Sequence, residues 1–146
     1  MRPEHRDRET ALKYIYHCEA HNGEDLRDYQ EFLLHFGHIL NTSYCHALCF
    51  GTLKNMYRID KIIEGYTNNW KISRMTAIDR SLLRMSVYEL LYHNTPRKVV
   101  LDEAVELAKR YGTQKSKAFI NGVLHSIAQQ TRTADNTGET DVCSNE

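Results

Sequence analysis

The chain has 146 residues, 41% hydrophobic and 26% charged, the make-up of one globular domain rather than a disordered or fibrous protein. Formal net charge is zero, but residues 1–130 carry 18 basic against 15 acidic side chains, and the remaining segment is acidic. No apolar stretch is long enough to span a bilayer, the charged start lacks a signal-peptide core, and seven glycines with two prolines are too few for a many-stranded β fold. A cytoplasmic protein without membrane contact is the expectation.

Helical periodicity runs through the chain. Ala11, Tyr14, Ile15 and Cys18 share one face of a first helix over 8–20, which His21-Asn22-Gly23 ends. A second helix is predicted over 26–38, with Tyr29, Leu33 and Phe36 inward. A longer stretch from Ser43 to about Thr67 should break near Arg58, with Gly51 and Gly65 marking close helix contacts. Trp70 reads as a buried anchor in the connection that follows. Thr76-Ala77-Ile78-Asp79 has the form of a capping box with Asp in place of Glu. It opens a helix whose inner face is Leu83, Val87, Leu90 and Leu91, ended by Asn94-Thr95-Pro96. Val100, Ala104, Leu107, Ala108 and Tyr111 form the next apolar stripe, with Gly112 as its C′ residue. Ser116 is the predicted N-cap of the last helix, whose inner face is Ile120, Val123, Leu124 and Ile127. The expected domain covers 1–130, and 131–146, rich in Thr, Asn, Gly, Asp and Glu, reads as a disordered polar tail.

Cys18, Cys45 and Cys49 read as small core residues and free thiols. The four-residue spacings of Cys45 with Cys49 and His17 with His21 would suit a metal on helices, but no short ligand motif supports one, so no metal is predicted. Nucleotide loops and nucleophile elbows are absent, which favours a helical binding module over an enzyme.

Three blocks then resemble a known family. DRSLLRMSVYELLY (79–92), VVLDEAVELAKRYG (99–112) and KSKAFINGVL (115–124) are similar, in order and spacing, to segments of the NusB transcription antitermination proteins. Arg6-Asp7-Arg8-Glu9 is similar to that family's arginine-rich start, whereas 21–75 matches in helical character more than in identity. The resemblance implies an all-α single domain of about seven helices in two packed bundles. It also implies transcription antitermination: binding of boxA RNA in ribosomal RNA leader transcripts together with NusE, a small ribosomal subunit protein, within an RNA polymerase antitermination complex. Neither catalysis nor a cofactor is implied.

The residues offer two candidate RNA surfaces. Arg2, Arg6 and Arg8 lie close together at the chain start, suited to phosphates, although interleaved Glu4, Asp7 and Glu9 also suit a solvated, charge-balanced end. Tyr16 is placed to stack a base or simply to pack. At the turn into the last helix, Ser116 and the first-turn amides, flanked by Lys115 and Lys117, suit an anion. Phe119 falls off the apolar face, as expected of a base platform. Asn121 either caps backbone or touches RNA, and Gly122 is expected to let helices approach. By resemblance alone, Asp79 is a partner-binding residue for NusE. Rival readings are the NusB-like domain that precedes a ribosomal RNA methyltransferase, a helical protein-interaction or metal-binding scaffold without antitermination activity, and a homodimer that hides the RNA surface.

Overall fold

The computed structural model describes the backbone of residues 4–20, 26–36, 42–68 and 70–137. Seven α-helices lie among them: α1 (His5–Ala20), α2 (Leu26–Phe36), α3 (Thr42–Lys54), α4 (Met56–Gly65), α5 (Ala77–Tyr92), α6 (Arg97–Tyr111) and α7 (Ser116–Thr137). A single 3-10 turn, Ile72–Arg74, joins α4 to α5. Helices α1, α2 and α3 pack into one bundle and α5, α6 and α7 into another, with α5 also touching α1, α3 and α4. This is the two-bundle, all-α architecture that the resemblance implied.

The order of burial follows from α5. Between Asp79 and Leu90 nearly every side chain except Arg80 and Tyr88 is buried, so this helix is enclosed rather than amphipathic. Thr76 caps it as expected: its hydroxyl accepts from the Asp79 N–H at 3.2 Å. Gly51 is required where α3 meets α5, because a Cβ there would occupy the Tyr88 ring. The inward faces read for α1, α6 and α7 are all buried apart from the half-buried Tyr111. In α2, Tyr29 and Phe32 are buried and Leu33 half-buried, while the Phe36 side chain lies outside the described residues. Cys18, Cys45 and Cys49 sit as free thiols in the core, with the Cys45 and Cys49 sulfurs 3.9 Å apart.

Several expectations are corrected. The long stretch breaks at Asn55, not Arg58, where the Asn55 side-chain amide donates to the Gly51 carbonyl at 2.8 Å. Gly65 meets nothing within 4 Å, so no close helix contact explains it. Gly112 has φ −92° and ψ −170°, extended rather than left-handed; glycine is needed because a Cβ would collide with Ser116. Trp70 is 46% exposed, not a buried anchor. Helix α7 runs on to Thr137, past Gln130, and 138–146 lie outside the described residues.

Candidate nucleic-acid interface

The first candidate surface starts at the exposed face of α1. Arg6 is exposed on its first turn, and Arg2 lies outside the described residues. Arg8 does not join them. Its side chain is 2% exposed and forms a double hydrogen bond to Glu89 of α5, Nε to Oε1 at 2.9 Å and Nη2 to Oε2 at 2.6 Å. Burial alone would lower the guanidinium's pKa, but the Glu89 bonds outweigh it and hold Arg8 charged. The phosphate role expected for Arg8 is therefore corrected: its charge is spent inside the protein. The same face of α1 is tied to α6 by Glu9, which accepts from Arg110 at 2.6 Å and from the Tyr111 hydroxyl. Burial would raise the Glu9 pKa; Tyr111 and Arg110 reverse that and hold the carboxylate ionised.

This tie sets α1 beside the turn into α7. Lys13 Nζ lies 5.8 Å from the Tyr111 ring centroid. Tyr16, 44% exposed, lines a groove of about 470 Å³ with Lys13, His17, Phe32, Ile78 and Tyr111. Next to Ile78 stands Asp79, 8% exposed, with a buried Oδ1 that no group among the described residues satisfies. A buried carboxylate oxygen without a donor is costly, so an incoming donor would be favoured there.

The second surface is the turn itself and the outer face of α7. Lys115 and Lys117 are exposed, as are Ala118, Asn121 and Gly122. Ser116 is not. It is fully buried as the first residue of α7 rather than its N-cap, and its hydroxyl accepts from the Thr113 N–H at 2.9 Å. Closing the Gly112–Lys115 turn occupies that oxygen, which corrects its reading as an anion ligand. Asn121 shares a shallow hollow with Lys117, Asp102 and Glu106. Gly122 meets nothing within 4 Å, so the expected helix approach is also corrected. A helical glycine costs about 1 kcal/mol relative to alanine, and packing among the described residues does not explain this one.

Phe119 is half-buried and packs on the core from its edge. Its outer partner is Trp70, with ring centroids 5.2 Å apart and planes at 60°. Trp70 is held by its own turn: its N–H donates to the Thr67 carbonyl at 2.9 Å, and the Thr67 hydroxyl donates to the Trp70 carbonyl at 2.9 Å. The following 3-10 turn is fixed by Arg80, whose Nη1 donates to the carbonyls of Met75 at 2.7 Å and Ile72 at 3.2 Å. Arg80 also pairs with Glu19 of α1. Arg80, the first of two arginines in the 79–92 block, thus steadies the loop beside Trp70. Sequence reasoning missed Trp70 and Lys13, because each gains meaning only from a neighbour distant in sequence, Phe119 and Tyr111.

Together, the fold, with seven helices among the described residues, and the exposed lysines, Arg6 and paired aromatics define an all-α protein with candidate nucleic-acid contacts. The NusB family model matches residues 5–129. A transcription antitermination protein NusB of Elusimicrobium minutum is 38% identical over 133 residues, covering 88% of this chain and 95% of that one. Thermotoga NusB, solved as "T. maritima NusB, P3121, Form 2", superposes with a TM-score of 0.80 at 35% identity, covering 88% and 92% of the two chains. A chain of a solved complex described as antitermination factors NusB and NusE with double-stranded RNA superposes with a TM-score of 0.79 at 27% identity, covering 89% and 98%. The chain belongs to the NusB family.

Proposed function

We propose that this protein is a transcription antitermination factor that binds boxA-type RNA jointly with NusE, and joins an RNA polymerase antitermination complex. The single observation that carries the RNA reading is the Trp70–Phe119 pair: two aromatic rings at the protein surface, one 46% exposed, with the exposed Lys115 one helical turn before Phe119. Unpaired bases stack on such rings, and flanking cations neutralise phosphates. Arg6 and Tyr16 extend the surface along α1, with Arg2 as a further expected contact. Asn121 and the open Gly122 admit a backbone close to α7. Asp79, with its unsatisfied oxygen, is the proposed contact to basic NusE. The reading requires no catalytic step.

The test is a binding titration of fluorescent boxA RNA with and without purified NusE. Binding that tightens when NusE is present supports the proposal, and tightening lost in Asp79→Ala supports the partner contact. Absence of RNA binding in both conditions would refute it.

A further inference from the structure

Beyond the surface just described, the end of α3 and the outward face of α4 present a second stripe. Lys54, Tyr57, Arg58 and Lys61 are all exposed, at i, i+3, i+4 and i+7 spacing. The Asn55 N–H to Gly51 and Ile59 N–H to Asn55 bonds, at 3.1 and 3.0 Å, carry the helical spacing across the break before α4. Three of the four residues are cations and the fourth is aromatic. The acids of the same helix are engaged elsewhere: Asp60 receives Arg84 Nε at 2.8 Å, and Glu64 accepts the Ile72 N–H at 2.8 Å. Arg84 thereby fixes which way α4 faces.

The stripe is ordered as well as charged. Tyr57 is 79% exposed, and Lys61 Nζ lies 5.3 Å from its ring centroid. Arg58 lies over the Tyr92 ring at 5.7 Å and donates to the Tyr92 hydroxyl at 2.7 Å, which holds the guanidinium at the surface. Among the described residues, no packing buries Tyr57. At the other end of α4, exposed Gly65 and Asn68, the latter at φ 53°, lead the chain to Trp70. The stripe is therefore connected through the chain to the aromatic pair.

We propose that the outward face of α4 is a second contact surface for single-stranded RNA, continuing the path from the Trp70–Phe119 platform. The inference rests on the RNA-binding reading above. Cations spaced along a helix neutralise successive phosphates, and a ring between them offers a base its face. An acidic protein segment would use the charges and leave Tyr57 idle, so RNA is the better match.

The experiment is an amide chemical-shift titration of the isotope-labelled full chain with a uridine-rich single-stranded RNA long enough to cover both surfaces. Shifts at 57–61 as well as around Phe119 are expected. The Arg58→Glu/Lys61→Glu variant should bind the long RNA about tenfold more weakly and show a shallower salt dependence, with melting unchanged. Tyr57→Ala, at a position without packing, should weaken binding by about fivefold or more and guards against misfolding of the charge variant. Shifts around Phe119 with none in α4 would overturn this inference and leave the RNA reading intact. Shifts in α4 alone would support the stripe and count against the aromatic platform. No shifts anywhere would overturn both, and a response of α4 to an acidic peptide but not to RNA would also overturn the inference.

Discussion

Arg8 of α1 and Glu89 of α5 form a buried ion pair in which two guanidinium nitrogens meet two carboxylate oxygens, 2.9 and 2.6 Å apart. Glu89 is further bonded by the Tyr44 hydroxyl and, at 2.9 Å, by the Thr95 hydroxyl. Arg8 also lies 5.5 Å from the Tyr44 ring centroid. One carboxylate therefore gathers α1, α3, α5 and the loop after α5. Beside it, His5 Nδ1 meets Glu103 of α6 at 2.6 Å. The glutamates of the two most recognisable sequence blocks act as fasteners for the first helix.

Removing one partner of this pair should be far worse than removing both. Arg8→Ala leaves Glu89 buried without its cation, and a loss of about 3–5 kcal/mol is expected in urea unfolding. Arg8→Met/Glu89→Leu should recover much of it, since neither side chain then brings a charge into the core. The pKa of Glu89 would be raised by burial, but the Arg8, Tyr44 and Thr95 bonds carry it below the ordinary range. Its contribution is thus complete above the unfolded pKa of about 4.3 and is lost as pH falls through the lower folded value. A double variant as unstable as the single one would contradict this.

Asp7 behaves in the opposite sense. It is buried, and its pKa is pushed up to about 6, first by burial and then by Glu4. An unfolded aspartate releases its proton near pH 4 (about 3.9), so between that value and the folded one the native state holds the extra proton. The contribution is then present at low pH and declines as pH rises toward the folded pKa. Asp7→Asn should raise the melting temperature at pH 7 and flatten the pH dependence across that window. An unchanged slope in thermal melts would remove Asp7 as its source.

The two helical glycines with opposite surroundings make a matched pair. Gly51→Ala forces a methyl into the Tyr88 ring and should cost about 1–3 kcal/mol. Gly122→Ala places its methyl in open space and should stabilise α7 by up to about 1 kcal/mol. If RNA lies against α7, the second variant folds better and binds worse. Parallel unfolding and RNA titrations check both halves.

Element identity was legible in the sequence because apolar residues repeat at 3.6-residue spacing, and one such stripe defines a helix without knowledge of its neighbours. The Thr76 cap and the inner face of α7 were readable for the same reason: each depends on residues within one or two turns. Arg8 was misread because its partner lies 81 positions away, and an arginine beside Asp and Glu looks identical whether solvated or buried. Trp70 was misread in the other direction, since a lone tryptophan in a polar connection gives no local sign of which side it faces. Ser116 shows how narrow the margin is: a shift of one residue at the helix start turns a cap into a buried turn closure.

The central claim is that the Trp70–Phe119 pair is a base platform rather than a packing detail. Fluorescence titration of boxA RNA with Trp70→Ala/Phe119→Ala, set beside urea unfolding of the same protein, tests it most directly. The account predicts affinity weaker by about 1–3 kcal/mol per lost stack, with a stability loss below the roughly 3–5 kcal/mol of a fully buried aromatic. Undiminished RNA affinity in a protein destabilised by the full core amount would contradict it.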